Sequence, residues 1–268
     1  MSETDLRIIP LSQLTGSSDW RLTLAHDRRE QLLIWITRGQ GRLLLNGQRR
    51  GVGTHNAIVV PADHLFALDM GRQGIGQVVI IPEGCQVLFP QMPRLLRIRE
   101  VGAMSELTVL MEAATREQAS GRPLTGQAME AHGALISVWL QRQMAMEEHM
   151  PERRNAAARL CAAYCARISA HFRETMTMAD HAAALGVTPT HLTRACKAAT
   201  GRTAADLLTE RVLYEARSLL VGTKAPAQDI ARHLGFGSAA YFTRFIQHHT
   251  HATPTALRRA GAQAPELA

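Results

Sequence analysis

Hydrophobic residues follow two regimes along this chain. Up to about residue 90 they come in short runs bounded by glycine, asparagine and proline, and beyond about residue 105 they recur every three to four positions. The first regime predicts strands and the second helices. Residues 32–37, Leu-Leu-Ile-Trp-Ile-Thr, form a β-rich run, and Gly39-Gln40-Gly41 turns it into Arg42–Asn46. Asn46-Gly47 is a two-residue hairpin signal. A second turn cluster, Gly51-Val52-Gly53, precedes the strand Asn56–Pro61, and Ala62–Asp69 and Gly76–Pro82 supply two more. Trp20–Leu24 alternates and reads as an entering strand. Short strands at regular spacing with glycine turns argue a small β-barrel or jelly roll. Pro90 to Pro93 breaks this pattern, and two helices are predicted after it. Ser105–Ser120 carries Leu107, Leu110, Met111 and Ala114 on one stripe, and Gln127–His149 carries Leu135, Val138, Trp139 and Met146. Each stripe serves either as core against the barrel or as a partner-helix surface for a dimer.

Met150-Pro-Glu-Arg-Arg-Asn155 reads as a linker, and Leu160, Tyr164, Ile168 and Phe172 mark the helix that follows it. Then Thr177-Met178-Ala179-Asp180 has the capping-box form and starts a short helix ending near Leu185. Thr188 fits an N-cap, Pro189 the first helical position and Gly201 the C-terminal stop, so a second helix of about three turns lies between them. Leu192, Ala195 and Cys196 fall on one of its faces, leaving a polar, basic remainder. This is the arithmetic of a helix-turn-helix, whose second helix enters the DNA major groove. A second copy follows. Leu234-Gly235 echoes Leu185-Gly186, Phe242-Thr243-Arg244 echoes Leu192-Thr193-Arg194, and Thr253-Pro254 echoes Thr203-Ala204. Between the copies, Ala204–Val221 predicts a linking helix with Leu208, Val212, Ala216 and Leu219 inward and Arg211, Glu215 and Arg217 exposed. A rigid helix there holds two recognition helices about one DNA turn apart, roughly 34 Å.

On these residues the chain resembles the AraC/XylS transcription regulators. The resemblance is carried by Ala182–Arg194, by Arg211–Leu220, and by Asp229–Phe245 with Gly235-Phe236, Tyr241-Phe242-Thr243-Arg244, Thr253-Pro254 and Arg258. It covers about residues 156–260. Two departures stand out: Cys196 replaces the family's usual Phe, and His251 its usual Gly, so the last recognition helix is expected to end less sharply. A looser likeness over about residues 20–90 is to the cupin-like sensor half of such regulators. The resemblance implies an α+β chain. An N-terminal cupin-like β-barrel with dimerisation helices would occupy 1–150, and a linker 151–157. An all-α DNA-binding domain would fill 158–260, with helix-turn-helix motifs at about 178–200 and 227–250 joined by a linker helix. The implied function is sequence-specific regulation of transcription by a homodimer on double-stranded DNA, answering to a small-molecule effector and touching RNA polymerase if it activates. By match to the family motif, Thr190, Thr193 and Arg194 read bases in the first helix, with Thr188, His191 and Lys197 beside them. The second helix offers Ser238, Ala239, Ala240, Tyr241 and Arg244. Arg244 is expected outward, the alternative being an internal salt bridge.

Charge sharpens this picture. The formal net charge is +7, and residues 165–260 hold twelve Lys+Arg against six Asp+Glu, so the basic excess lies with the repeated units, as a phosphate-binding surface requires. Cys85, Cys161, Cys165 and Cys196 make no CxxC pair. Cys161 and Cys165, four apart, are expected as buried small residues. His55 and His64 are nine apart with no His-x-His pair and no Glu between them, so neither a metal site nor a cofactor is expected. For contact with an effector the candidates are Trp35, which strand chemistry otherwise places in the core, and His64. Two other readings remain: a cupin-type metal-dependent enzyme, which needs a metal triad, and an effector-independent DNA binder whose first half only dimerises. The polar N-terminus and the lack of an apolar run of spanning length lead to the expectation of a cytoplasmic protein, and with no metal triad, nucleophile elbow, P-loop or Gly-rich dinucleotide loop legible, an enzyme is not expected.

Overall fold

The computed structural model describes residues 5–16, 18–146 and 155–263. Contacts divide the chain into two compact units. The first comprises residues 1–15, 27–45 and 50–153, and the second residues 16–26, 46–49 and 154–268. The predicted linker, 151–157, lies outside the described residues up to 154, and of its remainder Asn155 is a helix cap and residues 156 and 157 already belong to the helix that follows.

In the first unit, strands β1 (Arg7–Pro10), β2 (Gln31–Arg38), β5 (Asn56–Val60), β7 (Ile75–Ile81) and β8 (Arg94–Arg97) make an antiparallel sheet of order β1-β7-β2-β5-β8. Strands β3 (Gln40–Leu45), β4 (Gln48–Gly53) and β6 (Phe66–Asp69) make a second of order β4-β3-β6. The described strands therefore form two sheets and not one closed barrel. Leu33, Trp35, Ala57, Val59, Val79 and Leu96 pack into one core cluster with helices α3 (Val101–Gln118) and α4 (Thr125–Ala145). The alternate positions Leu32, Ile34, Ile36, Ile58 and Ile80 are buried too. Burial on both faces is why residues 32–36 read as a continuous apolar run. Gln118 closes the outer edge of β1: its amide accepts from the Ile8 N–H at 2.7 Å and donates to the Ile8 carbonyl at 3.1 Å.

Several expectations give way. Residues 20–24 are not a strand: Trp20–Thr23 is a helical turn, α2, in the second unit. The supposed turn at Gly51–Gly53 is the end of β4, and β1 and β8 were not legible as runs. On α3 the buried residues are Ala103, Leu107, Met111 and Ala114, so the predicted stripe is buried except at Leu110, which is half-buried. On α4 Trp139 is buried and its indole N–H donates to the Ala103 carbonyl at 3.0 Å, but Leu135 and Val138 are 52% and 44% exposed. The buried face runs instead through Met129, Gly133, Ile136 and Leu140. Gly133 belongs there because a Cβ would run into Leu6 and Val87.

The second unit holds α5 (Ala156–His171), α6 (Met178–Ala184), α7 (Pro189–Thr200), α8 (Ala204–Gly222), α9 (Ala227–His233), α10 (Ala239–Thr250) and α11 (Pro254–Gln263). Asn155 caps α5 by accepting from the Ala158 N–H at 2.8 Å. Tyr164 of α5 reaches the start of α8, donating to the Ala204 carbonyl at 2.9 Å. On α8 the inward residues are Leu207, Leu213, Ala216 and Leu220, one position off the predicted stripe at three of its four places. Arg211, expected in solvent, is 3% exposed. Its guanidinium lies 3.7 Å from the centre of the Phe172 ring and pairs with Glu215 at 2.9 Å, so burial is compensated by an aromatic face and a carboxylate. Two segments from early in the chain complete this unit. The Asn46-Gly47 turn has φ of 53° and 68°, and Gly47 lies so close to the Ala162 backbone of α5 that no side chain fits. Residues 16–26 pack on α8 through Trp20, whose ring meets Tyr214 edge-on at 5.5 Å, and His26, which stacks on the same ring at 4.0 Å.

Candidate nucleic-acid interface

Each recognition helix is set by the turn before it. At the first, Leu185 ends α6, Gly186 turns at φ 68°, and the Val187 N–H returns to the Ala182 carbonyl at 3.0 Å. At the second, Gly235 turns at φ 75° and the Phe236 N–H returns to the Ala231 carbonyl at 2.9 Å. Ala182 and Ala231 are both buried, so the small side chain sits where the helices cross. The caps repeat as well. Thr188 Oγ1 accepts from the His191 N–H at 3.2 Å, and Ser238 Oγ from the Tyr241 N–H at 3.2 Å. The Thr177–Asp180 capping box is complete, and hydrogen bonds from the Thr177 side chain and then its backbone hold the Asp180 carboxyl below its ordinary pKa.

Leu192, Ala195 and Cys196 turn inward on α7, and Phe242 and Ile246 on α10. The opposite faces are polar and open. Thr188, Thr190, His191, Arg194 and Lys197 are exposed, with Thr193 half-buried. On α10, Ser238, Ala240, Tyr241 and Arg244 are exposed, and Ala239 is half-buried. Tyr241, 55% exposed, leans on Phe236 at 5.8 Å. Neither Arg194 nor Arg244 makes an ion pair among the described residues, whereas Arg173, Arg202 and Arg211 of the same unit each hold a glutamate. His251 ends α10 at φ 56°, its N–H donating to the Gln247 carbonyl at 2.9 Å, as the Gly201 N–H does to Lys197. The expected ragged end is therefore absent: an L residue takes the left-handed cap.

Cys161, Cys165 and Cys196 are free and buried. Hydrogen bonding to Cys165 raises the Cys161 thiol, and hydrogen bonding to Cys161 followed by burial raises Cys196, so these two thiols behave as core. In the first unit, Trp35 is buried in the sheet–helix core and stacks on His55 at 5.9 Å. His64 sits in a turn with Nδ1 2.8 Å from the Ala62 carbonyl. Among the described residues no group of three His, Cys, Asp or Glu side chains is placed to hold a metal ion, and no helix is long and apolar enough to cross a membrane.

Two capped helix-turn-helix units on a shared helix define a DNA-binding protein. Residues 181–260 match a family profile described as a helix-turn-helix domain, and this domain supports an AraC family regulator. No curated protein matches the chain. Among solved structures, fatty-acid-bound ToxT from Vibrio cholerae is similar at 12% identity, covering 100% of this chain and 99% of its own, with a TM-score of 0.45. An AraC-type regulator from Chromobacterium violaceum is 28% identical over 37% of this chain and 89% of its own, with a TM-score of 0.34. The C-terminal domain of AraT from Geobacillus stearothermophilus is 27% identical over 41% of this chain and 88% of its own, with a TM-score of 0.37.

Proposed function

We propose that the protein is a cytoplasmic, homodimeric regulator that reads a specific DNA sequence with α7 and α10 and answers to a small-molecule effector. The observation that carries the reading is the pair Arg194 and Arg244, at the same place in each repeat, exposed, and without an ion pair among the described residues. An arginine so placed is available for bidentate contact with guanine. Thr190 and Thr193 flank Arg194 for contact with a thymine methyl or a phosphate, while His191 and Lys197 take phosphates and position the helix. Thr188 and Ser238 use their oxygens as caps and keep their hydroxyl protons for a phosphate. Ala239 and Ala240 offer only methyl groups, so Tyr241 and Arg244 do most of the reading by α10. The two antiparallel sheets are read as a cupin-like effector domain. The outward Leu135 and Val138 of α4, beside exposed Ala131 and Ala134, are read as the dimer face. If the protein activates, RNA polymerase is its further partner.

Gel shifts of the full chain over a salt series, on random duplex and on sites selected from genomic fragments, test the reading. Log affinity should fall by about 0.9 per phosphate contact against log salt. A chain that retains no duplex at low salt, or that prefers no sequence, rejects it. Sedimentation of Leu135→Glu, expected monomeric where the parent is dimeric, tests the dimer face.

A further inference from the structure

The turn between β3 and β4 brings one side chain to the end of the first recognition helix. Residues 46–49 belong to the second unit, where Gly47 fits against the Ala162 backbone of α5 only because it has no side chain, and α5 packs on α7. Two residues after Gly47, the Arg49 guanidinium reaches Gly201, the left-handed residue that ends α7. Its Nη1 lies 3.4 Å from where a Gly201 Cβ would stand. Arg49 is exposed and makes no hydrogen bond or ion pair among the described residues, so it does not hold the last carbonyls of α7. The carboxylates at the start of α8 are engaged elsewhere: Asp206 accepts from the Thr203 N–H at 2.8 Å, and Glu210 pairs with Arg202 at 2.6 Å. The place matters because it continues the outward stripe of α7. Thr190, Arg194, Lys197 and Gly201 follow one another at intervals of three or four and lie along one face. The helix carries side chains at the first three of these positions, and Arg49 occupies the fourth from outside. In the second repeat the same place is His251, exposed and bearing its own ring nitrogens.

We propose that Arg49 binds a phosphate of the DNA backbone beside the C-terminal end of α7, supplying from the β3–β4 turn a cation that the helix does not place there itself. Gly201 ends α7 in the left-handed region, where a long side chain is disfavoured. An exposed guanidinium without an internal partner presents two parallel N–H groups, which match the two free oxygens of a phosphodiester. Such a contact carries no base information. It fixes the register of α7 on the duplex and adds one counterion to those released on binding. A residue far outside both helix-turn-helix units thus contributes to DNA affinity. The contact rests on the proposal above that α7 reads DNA.

The test is binding of the full chain to a random DNA duplex over a salt series, read by fluorescence anisotropy, beside thermal melting of each protein without DNA. Arg49→Gln should weaken binding roughly fivefold to tenfold at ~0.1 M salt and make the fall of log affinity with log salt shallower by about 0.9. Its melting temperature should match the parent's. Arg49→Lys should keep the parent's slope, because the charge that displaces the counterion remains. Arg99→Gln removes an exposed charge from the first unit and should change neither slope nor melting. An Arg49→Gln slope equal to the parent's overturns the proposal. So does a loss of affinity at unchanged slope that follows a lower melting temperature, which makes Arg49 a prop for the end of α7. A slope change in Arg99→Gln as large as that in Arg49→Gln also overturns it, by assigning the effect to net charge. A parent that retains no duplex rejects the regulator reading and this contact together. A parent with a steep slope and an indistinguishable Arg49→Gln rejects the contact alone.

Discussion

The two helix-turn-helix units share a skeleton and differ in how each part of it is secured. The skeleton repeats down to single hydrogen bonds. Thr200 donates to the Cys196 carbonyl at 2.8 Å and Thr250 to the Ile246 carbonyl at 2.7 Å, and each hydroxyl accepts from the amide two residues on. The supports diverge. The first unit starts α6 with a full capping box, whereas α9 starts after Pro226 with no side-chain cap. The first core carries His181 where the second carries Ile230, and Cys196 where the second carries Ile246. The first unit is the better capped and the more polar inside, while the second leans on a cluster of Phe236, Phe242 and Phe245. Backbone geometry is thus what the repeat preserves, and different side chains suffice to hold it.

The sharpest break in the comparison is at the turns. A Cβ on Gly235 would lie 2.7 Å from the Arg173 carbonyl oxygen, while one on Gly186 meets nothing within 4 Å. Both positions have positive φ, so Gly186→Ala should cost about 1–2 kcal/mol. Gly235→Ala should cost about 2–4 kcal/mol, because overpacking is added to the strain. Chemical denaturation of the two variants checks this, and equal losses would remove the distinction. Next in size is specificity. Arg194→Ala and Arg244→Ala should each lose about 1–3 kcal/mol on the cognate site and relax one base pair, while Lys197→Ala weakens all sequences alike. Melting measured on the same samples decides Arg244: a large melting loss with normal affinity per folded molecule would make it structural.

A smaller difference is one of pH. Burial, and then Arg167, depress the His181 pKa below the ordinary 6.5, outweighing Asp180 and Glu174. His171, paired with Glu174 at 2.7 Å, acts in the same direction as Arg167. The unfolded chain therefore takes up its proton first, and stability is lost as pH falls from about 6.5 toward the folded value. His181→Ile, which copies the second unit, should flatten the melting temperature in that window. An unchanged slope would assign it to other groups. The smallest effect is at the helix ends, where His251→Gly should gain about 1 kcal/mol by relieving the left-handed backbone.

The repeated units were legible because their determinants are local. Caps, turn glycines and inward residues all fall within a window of about twenty residues, and offsets near fifty exposed the second copy. Arg194 and Arg244 could be nominated as outward from their neighbours alone. What was not legible depends on distant partners. Trp20–Thr23 alternates like a strand, but it is a helical turn whose tryptophan packs on Tyr214 and Arg217 of α8, partners nearly two hundred residues away in sequence. Arg211 reads as solvent-facing until Phe172 and Glu215 are placed beside it. Leu135 and Val138 fitted an inward stripe because period alone does not say which face of α4 meets the sheet; Gly133, which lets that helix come close, was the available clue.

The residue 16–26 segment also sets the order in which the chain can be finished. Ala25 and Glu210, joined by a hydrogen bond, stand 185 residues apart. Ribosomes add about 5–20 residues per second, so roughly 10–40 seconds separate their synthesis. Through that interval Trp20 has been made and its seat on α8 has not, so this part of the second unit can close only once the last third of the chain has arrived.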